Sequence, residues 1–150
     1  MSIIYENLDI NNILLDVEIT SKKRALERAA LMFENNIKVA RSVIFDGFFD
    51  REKLGSTALG SGVAVPHARL ASIKKPILGF IRFAKPLFYD TPDGEPVKLM
   101  MFLISPEKEP QNHLEPLAEL ARVMSDASLR ERLFQASTPE ELKNVFKSSC

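Results

Sequence analysis

ILGFIRFA (Ile77–Ala84) and VKLMMFLI (Val97–Ile104), separated by KPLFYDTPDGEP (Lys85–Pro96), form the stretch on which the fold of this chain turns. Both runs are apolar with little polar alternation, the pattern of strands covered on both faces of a sheet. Between them, Asp90-Thr91-Pro92-Asp93-Gly94 is a turn signal, with Pro fixing φ and Gly able to take positive φ. The longest apolar run, Leu99–Ile104, fits a buried strand and is far short of a membrane span.

On the N-terminal side, Gly55-Ser56-Thr57-Ala58-Leu59-Gly60-Ser61-Gly62-Val63-Ala64-Val65-Pro66-His67 is small, glycine-rich and short of charge. It predicts two short strands around a tight Gly-Ser-Gly turn, ending in a loop at Pro66-His67. Further upstream, Ser21 can cap a helix in which Leu26, Ala29, Ala30, Phe33 and Ile37 follow helical spacing. A second helix is expected from about Lys38 to Lys53, with Ala40, Val43, Ile44 and Phe48 on one face and Gly47 weakening it. The opening through Thr20 fits a short edge strand or extended arm. Phe45, Phe48 and Phe49 can form a partner-facing patch, but burial between helix and sheet is the expectation.

Beyond Pro106 the chain turns helical. Leu114, Leu117, Ala118, Ala121 and Met124 form one apolar stripe, and Leu129, Leu133 and Phe134 another. Thr138-Pro139-Glu140-Glu141 is a capping box with proline in the first turn, opening a short helix over Leu142, Val145 and Phe146. The expected fold class is therefore mixed α/β, a helix-flanked mixed β-sheet, with one domain over residues 1–150.

Composition narrows the function. The 150 residues carry 20 basic and 20 acidic side chains, a formal net charge of zero, and are 45% hydrophobic. No cationic excess exists to displace counterions from a phosphate backbone, which argues against nucleic acid as a partner. Met1-Ser2-Ile3-Ile4-Tyr5-Glu6 lacks the basic-then-apolar pattern of a signal peptide, and no segment suits membrane insertion. The one cysteine, Cys150, cannot form an intramolecular disulfide, which fits a reducing cytoplasm. Only two histidines, His67 and His113, are available for imidazole chemistry.

His67 follows a proline that biases Val65 towards an extended conformation. An imidazole there can be held with one nitrogen tied to the backbone and the other free as a nucleophile. It can equally be an ordinary surface-loop histidine. His113 opens the first C-terminal helix, where amides and the helix dipole favour an anion and disfavour a protonated imidazole. Arg51, in Asp50-Arg51-Glu52-Lys53, is either part of a solvated charge cluster or a guanidinium that neutralises a phosphoryl group at the mouth of the hairpin. Ser56 and Thr57 add hydroxyls to the same segment.

Several familiar sites are excluded. Gly60-Ser61-Gly62 has no third glycine at dinucleotide-fingerprint spacing, and there is no Gly-Lys-Ser/Thr phosphate loop and no Gly-x-Ser-x-Gly elbow. Two histidines far apart, without paired cysteines, give no metal signature. Histidine-centred group transfer and a binding module without chemistry are left.

The run Arg51-Glu52-Lys53-Leu54-Gly55-Ser56-Thr57, followed by Gly60-Ser61-Gly62-Val63-Ala64-Val65-Pro66-His67, resembles the signature of enzyme IIA domains of the bacterial phosphoenolpyruvate-dependent phosphotransferase system. The subgroup is the fructose/mannitol type, which includes the nitrogen-regulatory IIA proteins. His113-Leu114 with Leu117-Ala118-Glu119-Leu120-Ala121, then Asp126, Leu129 and Thr138–Leu142, continue the similarity from about Leu8 to Phe146. The resemblance implies a helix-flanked mixed sheet and a phosphotransferase component with a phosphohistidine intermediate. His67 would be the phosphoryl acceptor, His113 the supporting histidine, and Arg51 the stabiliser of phosphoryl charge. No cofactor or metal is implied. Ala58 stands where many family members have glycine, and Ala68 where glycine or another small residue is common, so both positions stay small.

The implied donor is an HPr-like phosphocarrier of the nitrogen branch (NPr), and the implied targets are regulated proteins such as potassium transporters or sensor kinases. Transport members share the acceptor motif. A soluble fructose- or mannitol-type IIA passing phosphate to a IIB partner therefore stays open, as does a binding module on the same fold. The absence of IIB and IIC segments, and the Arg51–Thr57 and Thr138–Leu142 runs, favour the stand-alone regulatory phosphocarrier.

Overall fold

The structure is a computed structural model that describes residues 3–108 and 115–148. A short helix α1 (Ile3–Asn7) leads into β1 (Leu8–Val17), followed by helices α2 (Lys22–Ile37) and α3 (Arg41–Leu54). The hairpin strands β2 (Ala58–Gly60) and β3 (Val63–Ala64) precede β4 (His67–Leu70), β5 (Ile77–Leu87) and β6 (Val97–Pro106). Helices α4 (Glu115–Met124), α5 (Ala127–Gln135) and α6 (Pro139–Val145) follow, with a 3-10 turn at Phe146–Ser148.

The six strands form one mixed sheet in the order β1-β5-β6-β3-β2, with β4 also on β6. The long antiparallel pair β5/β6 is its centre, with Leu78 opposite Leu103 and Ile81 opposite Met100. Side chains alternate across the sheet into two separate cores, as a doubly covered sheet requires. Met100, Phe102 and Ile104 face α2 and α3, while Leu99, Met101 and Leu103 face the C-terminal helices. Within the first core, Phe33, Phe48 and Phe102 form a cluster with centroids 5.4–6.4 Å apart. Gly79 permits it: a Cβ there would lie 2.5 Å from Phe33 Cζ.

Both long strands, the Gly60–Gly62 turn, the α5 stripe and the C-terminal cap form as expected. Ser21 Oγ accepts from the Arg24 amide at 3.1 Å and starts α2. Four expectations need correction. The second helix begins at Arg41, not Lys38, because Lys38 takes a left-handed conformation (φ 57°) and closes α2. Its first turn is met from α2, where Glu34 Oε2 accepts from the Arg41 amide at 2.7 Å. The opening segment is a full edge strand of 10 residues, parallel to β5, preceded by a helical turn that its short apolar pieces do not signal.

The third correction bears on the site. Pro66-His67 is not a loop. Val63 pairs with Leu99 and His67 with Leu103, an offset of four on each strand, so β3 and β4 run along β6 in one register. Proline lacks an N–H and interrupts the assigned strand, but its carbonyl still accepts from the Leu103 amide at 3.0 Å. The fourth concerns α4. Its buried face is Pro116, Leu120, Val123 and Met124, while Ala118 and Ala121 are exposed. Of the expected stripe Met124 is buried and Leu117 is half-buried against the core, while exposed Ala121 lies with Leu117 on a second small apolar face. Leu114 lies outside the described residues.

Candidate functional site

Arg51 stands in the last turn of α3 and His67 opens β4, and a cleft of about 200 Å³ brings them together. Ser56 and Thr57 line it from the connection into β2, and Leu117 and Ala121 close it from α4. Four of the five expected site residues therefore converge. His113 lies outside the described residues.

The two elements carrying Arg51 and His67 approach closely for a local reason. Gly47 sits where α3 crosses β4, and a Cβ on it would come within 3.0 Å of Ala68 Cβ. A glycine that looks like a helix weakness in the sequence is thus what lets α3 lie against the strand bearing His67. Ala68, small and buried, is the matching half of that contact.

His67 Nδ1 lies 2.9 Å from the Val65 carbonyl oxygen. A carbonyl only accepts, so this contact makes Nδ1 the protonated nitrogen and leaves the lone pair on Nε2. Val65 is itself fixed, its amide donating to the Thr57 carbonyl at 3.0 Å. Arg51 Nη1 donates to the Gly55 carbonyl at 2.8 Å, which holds the guanidinium over the α3–β2 connection. Its remaining N–H groups have no protein partner among the described residues. Ser56 Oγ donates to the Asp90 carbonyl and accepts from the Ala58 amide, each at 3.1 Å, and so ties the turn before β6 to the hairpin. Asp93 strengthens that tie by accepting from the Ser61 amide at 2.8 Å. Amide donation from Ser61 and Glu95 holds the Asp93 carboxyl below the usual carboxylate range.

The sequence reading missed Glu52. Counted with its neighbours it looks solvated, yet its side chain is 3% exposed. It accepts from the Thr57 hydroxyl, and Lys22 Nζ lies 3.2 Å from Oε2. Lys22 also sits 4.7 Å above the Tyr89 ring. The Tyr89 hydroxyl is buried without a hydrogen-bond partner among the described residues, and burial, with the Glu52 charge adding to it, pushes the phenol well above its ordinary pKa. A signal for Glu52 did exist: Ile44, Phe48 and Glu52 fall four apart, on one helical face, and all three are buried.

A larger groove of about 650 Å³ lies between α2 and α3 and is not lined by His67. Arg24, Arg28 and Arg41 are offset there by Glu18, Glu27 and Asp46, so it has no charge preference. Among the described residues, no three His, Cys, Asp or Glu side chains are grouped to hold a metal ion, and no helix is long and apolar enough to cross a membrane.

Residues 6–149 match the family described as phosphoenolpyruvate-dependent sugar phosphotransferase system, EIIA 2. The chain belongs to this family. It is 38% identical over 133 residues to the nitrogen regulatory protein of Pseudomonas aeruginosa, covering 88% of this chain and 86% of the relative. To that of Escherichia coli K12 it is 33% identical over 130 residues, 86% of this chain and 80% of the relative. The crystal structure of nitrogen regulatory protein IIA-Ntr from Neisseria meningitidis superposes with a TM-score of 0.90 at 43% identity, covering 97% of this chain and 99% of that one. IIA mannitol from Escherichia coli shares the fold, with a TM-score of 0.75 at 21% identity over 92% of this chain and 97% of that one. The helix-flanked mixed sheet is thus the fold of the family, and the chain is a phosphotransferase-system IIA component.

Proposed function

We propose that the chain is a regulatory phosphocarrier of the nitrogen-type phosphotransferase system, with residues 1–150 acting as one unit. His67 Nε2 accepts a phosphoryl group from the phosphohistidine of an HPr-like carrier. The observation that carries this reading is the Nδ1 contact to the Val65 carbonyl, which leaves Nε2 as the nucleophile in a cleft shared with Arg51.

In the transfer, the donor's N–P bond breaks as a bond from His67 Nε2 to phosphorus forms, and the donor imidazole recovers its lone pair. The attacking nitrogen must carry a free lone pair, which a neutral imidazole protonated on Nδ1 offers at Nε2. Such reactions need in-line positioning and charge stabilisation more than covalent help. Arg51 supplies the charge, and His113, as the second histidine, supports the phosphoryl oxygens. No metal or cofactor is required. Apolar Leu59, Leu117 and Ala121 beside His67 suit a docking carrier, whose cytoplasmic setting this chain would share.

The phosphoryl group adds roughly −1.5 to −2 charge at neutral pH. That change, presented in the cleft, is the signal that regulated partners read. The regulatory role is favoured over sugar transport by the relatives named nitrogen regulatory proteins.

Incubation with enzyme I, an HPr-type carrier and phosphoenolpyruvate is expected to add one phosphoryl group by intact mass, lost in His67→Ala and slowed in His113→Ala. No added mass on the wild type rejects the acceptor reading. Rapid onward transfer to a sugar-specific IIB rejects the regulatory one.

A further inference from the structure

A carboxylate removed from water is retained only where it is paired and hydrogen-bonded. Glu52 meets that condition with Lys22 on one oxygen and the Thr57 hydroxyl on the other. The group it holds leads directly to the nucleophile. The Thr57 carbonyl accepts from the Val65 amide at 3.0 Å, and the Val65 carbonyl faces His67 Nδ1 at 2.9 Å. A continuous path of hydrogen bonds and backbone thus runs from a half-buried ion pair to the imidazole. The end of α3 is fixed by the same residue, since the Glu52 carbonyl accepts from the Gly55 amide at 3.1 Å, and Gly55 in turn receives Arg51.

We propose that Glu52 is a positioning residue for phosphoryl transfer: gripping Thr57, it sets the Val65 carbonyl that selects the Nδ1–H tautomer of His67. The inference rests on His67 being the acceptor. With Lys22 on Oε2, the Thr57 hydroxyl donates to the other carboxyl oxygen and so points towards α3. Loosening this grip lets the Val65 carbonyl drift from Nδ1. A fraction of His67 then carries its proton on Nε2, where it blocks attack. The cost falls on the transfer step and not on carrier docking, because neither Glu52 nor Thr57 presents an apolar surface to a partner.

The test uses the full chain as Thr57→Val, Glu52→Gln and the rescue variant Thr57→Ser, each checked for folding by circular dichroism. Valine keeps the shape of threonine without the hydroxyl. Glutamine has one acceptor oxygen for two donors. Two quantities are read: the His67 tautomer, from imidazole nitrogen chemical shifts without any donor, and kcat and KM for transfer from the phosphorylated HPr-type carrier. Thr57→Val and Glu52→Gln are expected to populate the Nε2–H tautomer and to lower kcat about tenfold or more, with KM unchanged. Thr57→Ser restores both. If the wild type is phosphorylated but folded Thr57→Val keeps its tautomer and rate, the role of Glu52 is overturned. A rate loss without a tautomer change, or one confined to KM, overturns it too. A wild type that takes no phosphoryl group overturns the acceptor reading itself, a distinct result.

Discussion

At the scale of single residues, the cleft pairs an imidazole held by backbone, His67, with a cation held by a loop, Arg51. Arg51 is half-buried, and its one hydrogen bond within the described residues is to the Gly55 carbonyl. Arg51→Gln should therefore leave the fold intact while removing the charge that a phosphoryl group would meet. We expect the phosphorylation rate to fall about a hundredfold with an unchanged thermal midpoint. An unchanged rate would remove Arg51 from the site. Position alone reads His67 equally well as a loop histidine and Arg51 as a solvated cation; the family motif singles them out, and the structure puts both in one cleft. Glu52 was not legible in the sequence, because mixed charge masks burial: Asp50, Arg51, Glu52 and Lys53 look alike, and only the spacing from Ile44 and Phe48 separates one of them.

At the scale of elements, the doubly covered strands were readable because burial on both faces leaves a plain apolar run. The caps at Ser21 and Thr138 were readable because their chemistry is local. The register of β4 was not, since a proline interrupts the assigned strand and pairing to β6 is a long-range fact. The inward face of α4 was hidden because the helix has two apolar sides, one for the core and one for the cleft. Close packing of helix on sheet depends on a missing side chain at Gly79, where a Cβ would also lie 2.9 Å from Met32 Cε. Gly79→Ala is expected to cost about 1–3 kcal/mol, as Phe33 and Met32 must shift in a filled core. Urea unfolding measures this; a midpoint equal to wild type would show that the aromatic cluster has slack.

At the scale of the whole molecule, Arg82 joins parts distant in sequence. Buried in β5, it forms a two-pronged pair with Asp16 of edge strand β1, both contacts at 2.9 Å. Its Nη1 also donates to the carbonyls of Leu133, Phe134 and Ala136 at the end of α5. Hydrogen bonding from Arg82 holds the Asp16 carboxyl below its usual range, against an opposing effect of burial. A depressed folded-state value means stabilisation that is complete above the unfolded value of ~3.9 and lost as pH falls through the folded one. Asp16→Asn should therefore flatten the acid side of the stability profile, read as the thermal midpoint between pH 6 and pH 3. Equal slopes in the two proteins would show the pair to be thermodynamically silent. The in-register run of β3 and β4 along β6 has a consequence of another kind. A histidine anchored in a central sheet has no hinge to swing on. A phosphoryl group attached there, as proposed, would alter the electrostatic face of the molecule and leave its outline alone. On that proposal, a protein that tells the two forms apart would do so by touch, at the mouth of the cleft, and not from a remote surface.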